Sequence, residues 1–170
     1  MRKFVLTGGT CTGKTTALQA LKKEGFNVIP EAARAIIVSE NAKGSKLVPW
    51  VDRNAFQREV LRRQLEAESK ASTDVFLDRG IPDGIAFYRI VGLQPPDELI
   101  KASQEARYDR IFLLDLLPVY PSDPMRKEDA ETSRKIHEMI REIYQSLGYK
   151  VIEIPALSVS ERIKLIKKNI

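Results

Sequence analysis

Eight residues near the start of the chain, Gly-Gly-Thr-Cys-Thr-Gly-Lys-Thr at positions 8–15, constrain its fold more than any other feature. They fit the P-loop pattern G-x-x-x-x-G-K-[ST]. A short apolar β-forming run at residues 3–7 precedes them, and a helix-forming run at residues 16–24 follows. In a strand, loop and helix arrangement, the loop amides and the helix N-terminus point at one anion. The segment therefore predicts a phosphate site that includes the Lys14 ammonium and a magnesium-binding Thr15 hydroxyl.

Length and composition favour one globular domain over residues 1–170. The chain is 43% hydrophobic and 30% charged, which is typical of a folded protein with a sizeable core. No apolar run approaches the ~20 residues that span a membrane, and the N-terminus lacks a signal-peptide pattern. The single cysteine, Cys11, excludes an intramolecular disulfide. We therefore expect a cytoplasmic protein without a membrane span.

The basic balance of the chain suits anionic ligands. The formal net charge is +5 and the pI is near 9.3. Lysines and arginines are interspersed with acids and form no long block, so we expect no nucleic-acid partner. The sequence has no Cys/His cluster for zinc. Its one histidine, His137, falls in a helical pattern, where we expect a surface or packing role.

Short apolar runs alternate with helical patterns along the chain, which predicts an α/β fold with a parallel sheet covered on both faces. The predicted strands are residues 3–7, 26–30, 75–78, 110–115 and 150–155. The predicted helices after the P-loop helix are residues 31–41, 52–72, 83–91, 97–106 and 128–147, then one opening with a capping box at residues 158–161. The second of these places Phe56, Val60, Leu61 and Leu65 at helical spacing.

Polar residues follow the second and third strands at the edge where parallel sheets bind ligands. Asp78 closes the third strand, where a carboxylate would hold Mg²⁺ opposite Thr15. Arg79 follows it and is expected to bind a phosphate or orient a substrate hydroxyl. Glu31 follows the second strand and is placed to accept a proton from an attacking hydroxyl. Arg34 lies one turn further along the same helical face.

Other polar residues have two interpretations each. Arg126 and Arg134 flank the end of a proline-rich loop at residues 117–128. They either stabilise a transferring phosphoryl group or belong to a basic surface. Gln57 either recognises a nucleobase or an amide substrate, or faces solvent. Asp83 caps the next helix or touches substrate, and we expect the cap.

The chain lacks the residues that are diagnostic of several P-loop classes. A translational-type GTPase needs an Asn-Lys-x-Asp guanine reader, which is absent. A AAA+ motor has a glutamate after the Walker B aspartate, where this chain has Arg79, and it needs a lid domain for which the chain is too short. The same features disfavour a helicase. Adenylate-kinase-type enzymes carry Asp-Gly-Phe-Pro-Arg, which differs from Asp-Arg-Gly-Ile-Pro at residues 78–82.

Several segments together resemble the NadR/Ttd14-type P-loop domains, the AAA_28 family, over nearly the whole chain. They are residues 8–16, 30–34 (Pro-Glu-Ala-Ala-Arg), 56–57, 77–80 (Leu-Asp-Arg-Gly) and 149–158. The resemblance implies a nucleoside-kinase-like fold with strand order 2-3-1-4-5 and binding of ATP or GTP with Mg²⁺. One branch of the family is ribosylnicotinamide kinase, and another is a eukaryotic GTP- and phosphoinositide-binding protein. Glu31 and Asp78-Arg79 also resemble the catalytic glutamate and acid-Arg-Ser motif of deoxynucleoside kinases, with Gly80 in place of the serine.

These patterns predict a three-layer P-loop NTPase acting as a magnesium-dependent phosphotransferase, from ATP or GTP to a small hydroxyl-bearing acceptor such as a nucleoside or nucleotide. The predicted catalytic residues are Lys14, Glu31, Arg79, Arg126 and Arg134; the substrate residues are Glu31, Arg34, Gln57 and Arg79; the metal residues are Thr15 and Asp78. The predicted nucleotide contacts are Gly8, Gly9, Thr10, Cys11, Thr12, Gly13, Lys14, Thr15 and Thr16, with Pro155, Ala156 and Leu157 beside the purine. The alternative is a switch module that hydrolyses nucleotide slowly and signals through the proline-rich loop. The sequence leaves a monomer and a homodimer open.

Overall fold

Strands and helices alternate along the computed structural model, which describes residues 1–42, 44, 47–118 and 129–170. The strands are Lys3–Thr7 (β1), Asn27–Ile29 (β2), Val75–Asp78 (β3), Arg110–Leu114 (β4) and Val151–Ile154 (β5). The helices are Lys14–Lys23 (α1), Ala32–Ala42 (α2), Arg53–Ser69 (α3), Asp83–Arg89 (α4), Asp97–Glu105 (α5), Ala130–Ser146 (α6) and Val159–Lys168 (α7). The predicted alternation of strand and helix is confirmed.

The five strands form one parallel sheet in the order β2-β3-β1-β4-β5. The strand order implied by the family resemblance is therefore confirmed. Strand β1 lies at the centre, with Leu6 beside Asp78 of β3 and beside Phe112 of β4. Because parallel strands end at the same edge, the loop after β1 lies between the ends of β3 and β4. This edge is where the predicted site residues meet.

Apolar cores cover both faces of the sheet. Side chains of a strand alternate between its faces, so Phe4 and Leu6 join the core formed with α1 and α7, while Val5 joins the core formed with α4 and α6. Burial of each large apolar side chain contributes about 1.5–3 kcal/mol. The three-layer arrangement predicted from the sequence is thus confirmed. None of the helices in the described ranges has both the length and the hydropathy needed to cross a bilayer.

Several element ends differ from the predicted ones for local reasons. Strand β2 is shorter than residues 26–30 because it lies at the sheet edge and Pro30 has no N–H to donate. Helix α6 begins at Ala130 because the Asp129 carboxylate caps it, accepting from the Thr132 N–H at 2.7 Å. Helix α4 ends two residues early, since the chain turns at Gly92 with φ of 73°.

The buried face of α3 is more polar than predicted. Phe56 is buried, but Leu65 is 45% exposed, so the expectation of an apolar stripe reaching Leu65 is wrong. The buried positions there are Gln64 and Glu68 instead. Glu68 accepts hydrogen bonds from Gln64 Nε2 at 2.9 Å and from Tyr108 Oη at 2.9 Å. Hydrogen bonds to other buried groups explain why polar residues occupy this face.

Candidate active site

The loop at residues 8–13 passes closely between β4 and α6, which is why it is rich in glycine. A Cβ atom on Gly8 would lie 2.7 Å from the Leu114 carbonyl oxygen, and one on Gly9 would lie 2.5 Å from the Ser133 carbonyl oxygen. Gly13 has φ of 77° and occupies the N-cap of α1 without a side-chain hydrogen bond. The first turn of α1 also contains no acidic residue. The start of the helix therefore has neither a side-chain cap nor a negative charge, which suits an anion.

The Lys14 side chain lies inside the loop that precedes it. Its ammonium donates to the carbonyl oxygens of Gly8 at 3.2 Å and Gly9 at 2.6 Å, and to the Thr12 hydroxyl at 3.0 Å. The residue is 4% exposed. A positive charge is thus placed at the centre of the loop, within reach of a phosphate bound by the same backbone.

Helix α6 supports the loop through two side chains. The Ser133 hydroxyl donates to the Thr10 carbonyl at 2.8 Å, and Nδ1 of His137 accepts from the Gly9 N–H at 3.3 Å. Burial lowers the pKa of His137, which favours the neutral ring that can accept this bond. Of the two roles expected for His137, packing is confirmed and a surface position is wrong, since the side chain is buried.

Arg162 of α7 joins the loop to the turn that follows β5. Its Nη1 donates to the Thr12 carbonyl at 2.7 Å and its Nε donates to the Leu157 carbonyl at 2.8 Å. The residue is buried, and burial lowers the pKa of its guanidinium. The capping box predicted at Ser158 and Glu161 is confirmed and starts the helix that carries Arg162. The sequence offered no signal for Arg162 beyond its place one turn after that cap.

Thr15 and Asp78, the two predicted metal residues, lie within hydrogen-bond distance of each other. The Thr15 hydroxyl donates to Oδ2 of Asp78 at 2.9 Å, while the other carboxylate oxygen, Oδ1, is buried without a hydrogen bond in the described structure. Burial, followed by the charge of Glu31, raises the pKa of Asp78, and Lys14 opposes the shift. A divalent cation would supply the partner that Oδ1 lacks.

A cage made of protein ligands alone is absent from the described ranges, which contain no group of three or more His, Cys, Asp or Glu side chains suited to a metal. Mg²⁺ commonly takes one or two carboxylates and completes its shell with water and substrate phosphates. The Thr15 and Asp78 pair therefore fits Mg²⁺ that is bound together with a nucleotide.

Arg79 connects the loop, the end of β3 and the start of α2. Its Nε donates to Oε1 of Glu31 at 3.0 Å, and its Nη1 donates to the Gly8 carbonyl at 3.0 Å and to Oδ1 of Asp83 at 2.9 Å. Burial opposes the charge, but Glu31 and then Asp83 outweigh it and raise the pKa of the guanidinium. The backbone φ is 74°, a conformation that costs a non-glycine residue about 1–3 kcal/mol and that occurs often at functional sites.

Gly80 is required by packing beneath Arg79. A Cβ atom there would lie 2.5 Å from the Tyr144 hydroxyl and 3.1 Å from the Tyr108 ring. Burial raises the pKa of both tyrosines well above the usual range, so both hydroxyls keep their protons. The absence of the serine found in the related kinase motif is therefore explained by these two rings.

An apolar cleft of about 200 Å³ opens beside Arg79, between α2, α3 and α4. All four predicted substrate residues line it, namely Glu31, Arg34, Gln57 and Arg79. Thr10 and Asp78 line the same cleft at its P-loop end, and its apolar wall includes Ile37, Trp50, Phe56, Val60, Leu61, Phe87 and Leu99. Its size is below the ~300–1,000 Å³ of most drug-sized sites, so it favours a small ligand.

The remaining predicted site residues in the described ranges do not line the cleft. Thr16 is exposed in the first turn of α1, and Arg134 is exposed on α6, next to Ser133. Arg126 lies outside the described residues, as does most of the proline-rich loop. Pro155, Ala156 and Leu157 form an exposed turn that reaches the P-loop through Arg162. The roles of these residues stay predictions.

The expectation that Asp83 caps the next helix is wrong, because Asp83 is the first residue of α4 and no side chain caps that helix. It is 2% exposed, and its carboxylate accepts from the Gly80 N–H at 3.1 Å in the turn before α4. It also binds Arg79 and two residues distant in the sequence, Thr7 and Tyr144. Arg79 lies outside α4 with φ of 74°, so helical spacing does not predict the contact between Arg79 and Asp83.

Solved structures of two kinases and of the NadR protein have the same architecture. The structure superimposes on thymidylate kinase from Ehrlichia chaffeensis with a TM-score of 0.70 and 14% identity, over 99% of this chain and 97% of that one. Deoxyadenosine kinase from M. mycoides with bound dATP gives 0.69 and 15%, over 98% of each chain. The NadR protein in complex with NAD and AMP-PNP gives 0.72 and 20%, over 98% of this chain and 48% of that one.

The sequence comparison covers nearly the whole chain. No curated protein matches the sequence significantly. The profile of the AAA_28 family, described as an AAA domain, matches residues 3–162. These residues include the P-loop, the Asp-Arg-Gly turn and Arg162. The chain therefore belongs to the AAA_28 family.

Proposed function

We propose that the protein is a magnesium-dependent phosphotransferase, which moves the γ-phosphoryl group of ATP or GTP to the hydroxyl of a small acceptor such as a nucleoside or nucleotide. The observation that carries the proposal is the cleft itself. It is bounded by Thr10 and Asp78 at the P-loop end and by Gln57 and Phe87 further along. Glu31 and Arg79 line the same space. An acceptor in the cleft would lie next to the transferable phosphate.

The nucleotide triphosphate would bind along the P-loop. The N-terminus of α1, which no side chain caps, and the Lys14 ammonium provide positive potential for its β- and γ-phosphates. Its base would lie against the turn at Pro155, Ala156 and Leu157, which Arg162 connects to the loop. Thr15 and Asp78 would hold Mg²⁺, which when bound neutralises charge on the phosphate oxygens.

Glu31 is the candidate base. Its side chain is 17% exposed and faces the cleft beside Asp78 and Arg79. In the proposed reaction it takes the proton of the acceptor hydroxyl as the oxygen bonds to the γ-phosphorus. The bond from that phosphorus to the bridging oxygen breaks, and the nucleoside diphosphate leaves. Arg79, with Arg126 and Arg134 as further candidates, would stabilise the transferring group.

The experiment is a product assay with matched variants. Purified protein is incubated with ATP or GTP, Mg²⁺ and a panel of nucleosides and nucleotides, and new phosphorylated products are measured by chromatography. Glu31→Gln should keep nucleotide affinity and lower transfer by roughly 10²- to 10⁴-fold, the usual contribution of a general base. Glu66→Gln changes an exposed glutamate on α3 and serves as the control. Unchanged turnover in Glu31→Gln would remove this residue from the mechanism.

The same assay tests the switch alternative. Nucleotide loss that an acceptor stimulates supports the kinase. Slow hydrolysis that no acceptor changes, together with nucleotide-dependent proteolysis within residues 117–128, would support a switch and contradict the phosphotransferase.

A further inference from the structure

Asp83 binds four hydrogen-bond donors, which come from three parts of the fold. Its Oδ1 accepts from the Thr7 hydroxyl at 2.5 Å and from Arg79 Nη1 at 2.9 Å. Its Oδ2 accepts from the Gly80 N–H at 3.1 Å and from the Tyr144 hydroxyl at 2.7 Å. The carboxylate is buried, and these donors occupy the four lone-pair positions of its two oxygens. It is therefore not available to bind an acceptor directly.

The donors link Asp83 to both ends of the candidate site. Thr7 is the last residue of β1, directly before the P-loop. Arg79 contacts the Gly8 carbonyl through Nη1 and the Glu31 carboxylate through Nε. A guanidinium is planar and rigid, so a partner that fixes Nη1 also sets the direction of Nε. The position of Nε in turn sets where the Glu31 carboxylate lies.

We propose that Asp83 is a positioning residue, which fixes the Arg79 guanidinium against Gly8 and thereby places the Glu31 carboxylate between the P-loop and the cleft. This inference rests on the proposed function, in which Glu31 is the base. Phe87 supports the same placement, because the Arg79 guanidinium lies 4.8 Å from the centre of its ring.

A purely structural role for Asp83 makes a different prediction. The carboxylate also joins β1, the turn after β3 and α6, so its loss could act through the stability of the fold alone. Tyr144→Phe removes one hydrogen bond to Oδ2 and leaves Oδ1 and its bond to Arg79 in place. A purely structural role predicts the same effect on Arg79 from Tyr144→Phe and from Asp83→Asn. A positioning role predicts that only Asp83→Asn releases the Arg79 guanidinium.

The first measurement is NMR of the arginine side chains in ¹⁵N-labelled protein, with Arg79→Lys to assign the signal. In the wild type we expect separate proton signals for Nη1 and Nη2 of Arg79, because hydrogen bonds restrain rotation of the group. These signals should persist in Tyr144→Phe and merge in Asp83→Asn. Averaged signals in the wild type would overturn the proposal even if the Asp83→Asn protein does not fold. Identical spectra in the two variants would also overturn it.

The second measurement is steady-state kinetics with the acceptor found in the product assay. Asp83→Asn should lower kcat by roughly 100-fold, the scale on which a misplacement of about 1 Å acts, with nucleotide affinity unchanged. Asp83→Glu keeps the charge and should restore part of this loss. Equal kcat in Asp83→Asn and the wild type contradicts the inference. If no variant and no wild-type protein transfers a phosphoryl group, the proposed function fails, while the NMR result still decides the placement of Arg79.

Discussion

Asp78 carries a negative charge that the folded protein accommodates poorly. Its carboxylate is 1% exposed, and Oδ1 has no hydrogen bond in the described structure. Burial and the nearby Glu31 raise its pKa above the ordinary value of 3.8. Since the folded-state pKa exceeds that of the unfolded chain, ionisation of Asp78 destabilises the fold at neutral pH. That destabilisation disappears as the pH falls through the folded-state pKa toward 3.8.

Replacing Asp78 should therefore stabilise the free protein and weaken the proposed site. We expect Asp78→Asn to raise Tm by a few degrees without Mg²⁺ at pH 7, since 1 kcal/mol shifts Tm by about 2–4 °C for chains of this size. We also expect it to lose the Mg²⁺-assisted part of nucleotide binding. Differential scanning calorimetry and titration calorimetry check the two effects. The control is Asp74→Asn, a partly exposed site where hydrogen bonds from Arg2 lower the carboxylate pKa, so that this variant should lower Tm. A lower Tm in Asp78→Asn at pH 7 would contradict this account of its charge.

Helix α7 contributes to the site through one side chain, Arg162. Its two hydrogen bonds, to Thr12 and Leu157, are the described connection between the P-loop and the turn after β5. Hydrogen bonds to a charged group contribute about 1.5–3 kcal/mol each. We expect Arg162→Met to weaken nucleotide binding by at least about tenfold, the effect of 1.4 kcal/mol. Titration calorimetry measures the affinity.

The control for this variant is Lys164→Met, an exposed residue on the same helix. A second comparison uses inorganic triphosphate, which lacks the nucleoside part of ATP. If the turn holds the base, Arg162→Met should weaken ATP binding more than it weakens binding of inorganic triphosphate. An equal loss for both ligands would place the effect of Arg162 in the phosphate loop alone.

At this scale the sequence predicts elements better than it predicts their partners. The bounds of β1 and β3 are as predicted, because short apolar runs followed by glycine or acid mark strand ends. The meeting of Thr15 with Asp78 follows from the parallel sheet, since both lie at one edge. Asp83 and Arg162 act through contacts across 76 and 150 residues of sequence, and no local pattern encodes those. A buried carboxylate and a surface helix cap look alike until the packing is known.

At the scale of the whole molecule, the described residues form two apolar cores separated by one sheet, with polar contacts between the layers at the sheet edge. The strands belong to both cores, with Phe4 on one side and Val5 on the other. Thr7, Arg79 and Asp83 connect the ends of the inner strands β1 and β3 with the start of α4 beside the P-loop. Unfolding of the sheet would expose the apolar side chains of both cores to water, because the strands contribute to each. We therefore expect the layers to unfold together.

This cooperativity gives a test that combines fold and ligand. We expect far-UV and near-UV circular dichroism to report one coincident thermal transition. MgATP or MgGTP at 100 times its Kd should stabilise the fold by about 2.7 kcal/mol and raise both curves by roughly 5–10 °C. Lys14→Ala should abolish the shift, because its ammonium binds within the loop that would hold the phosphates. Two separate transitions, or a shift in only one signal, would contradict the expectation that the layers unfold together.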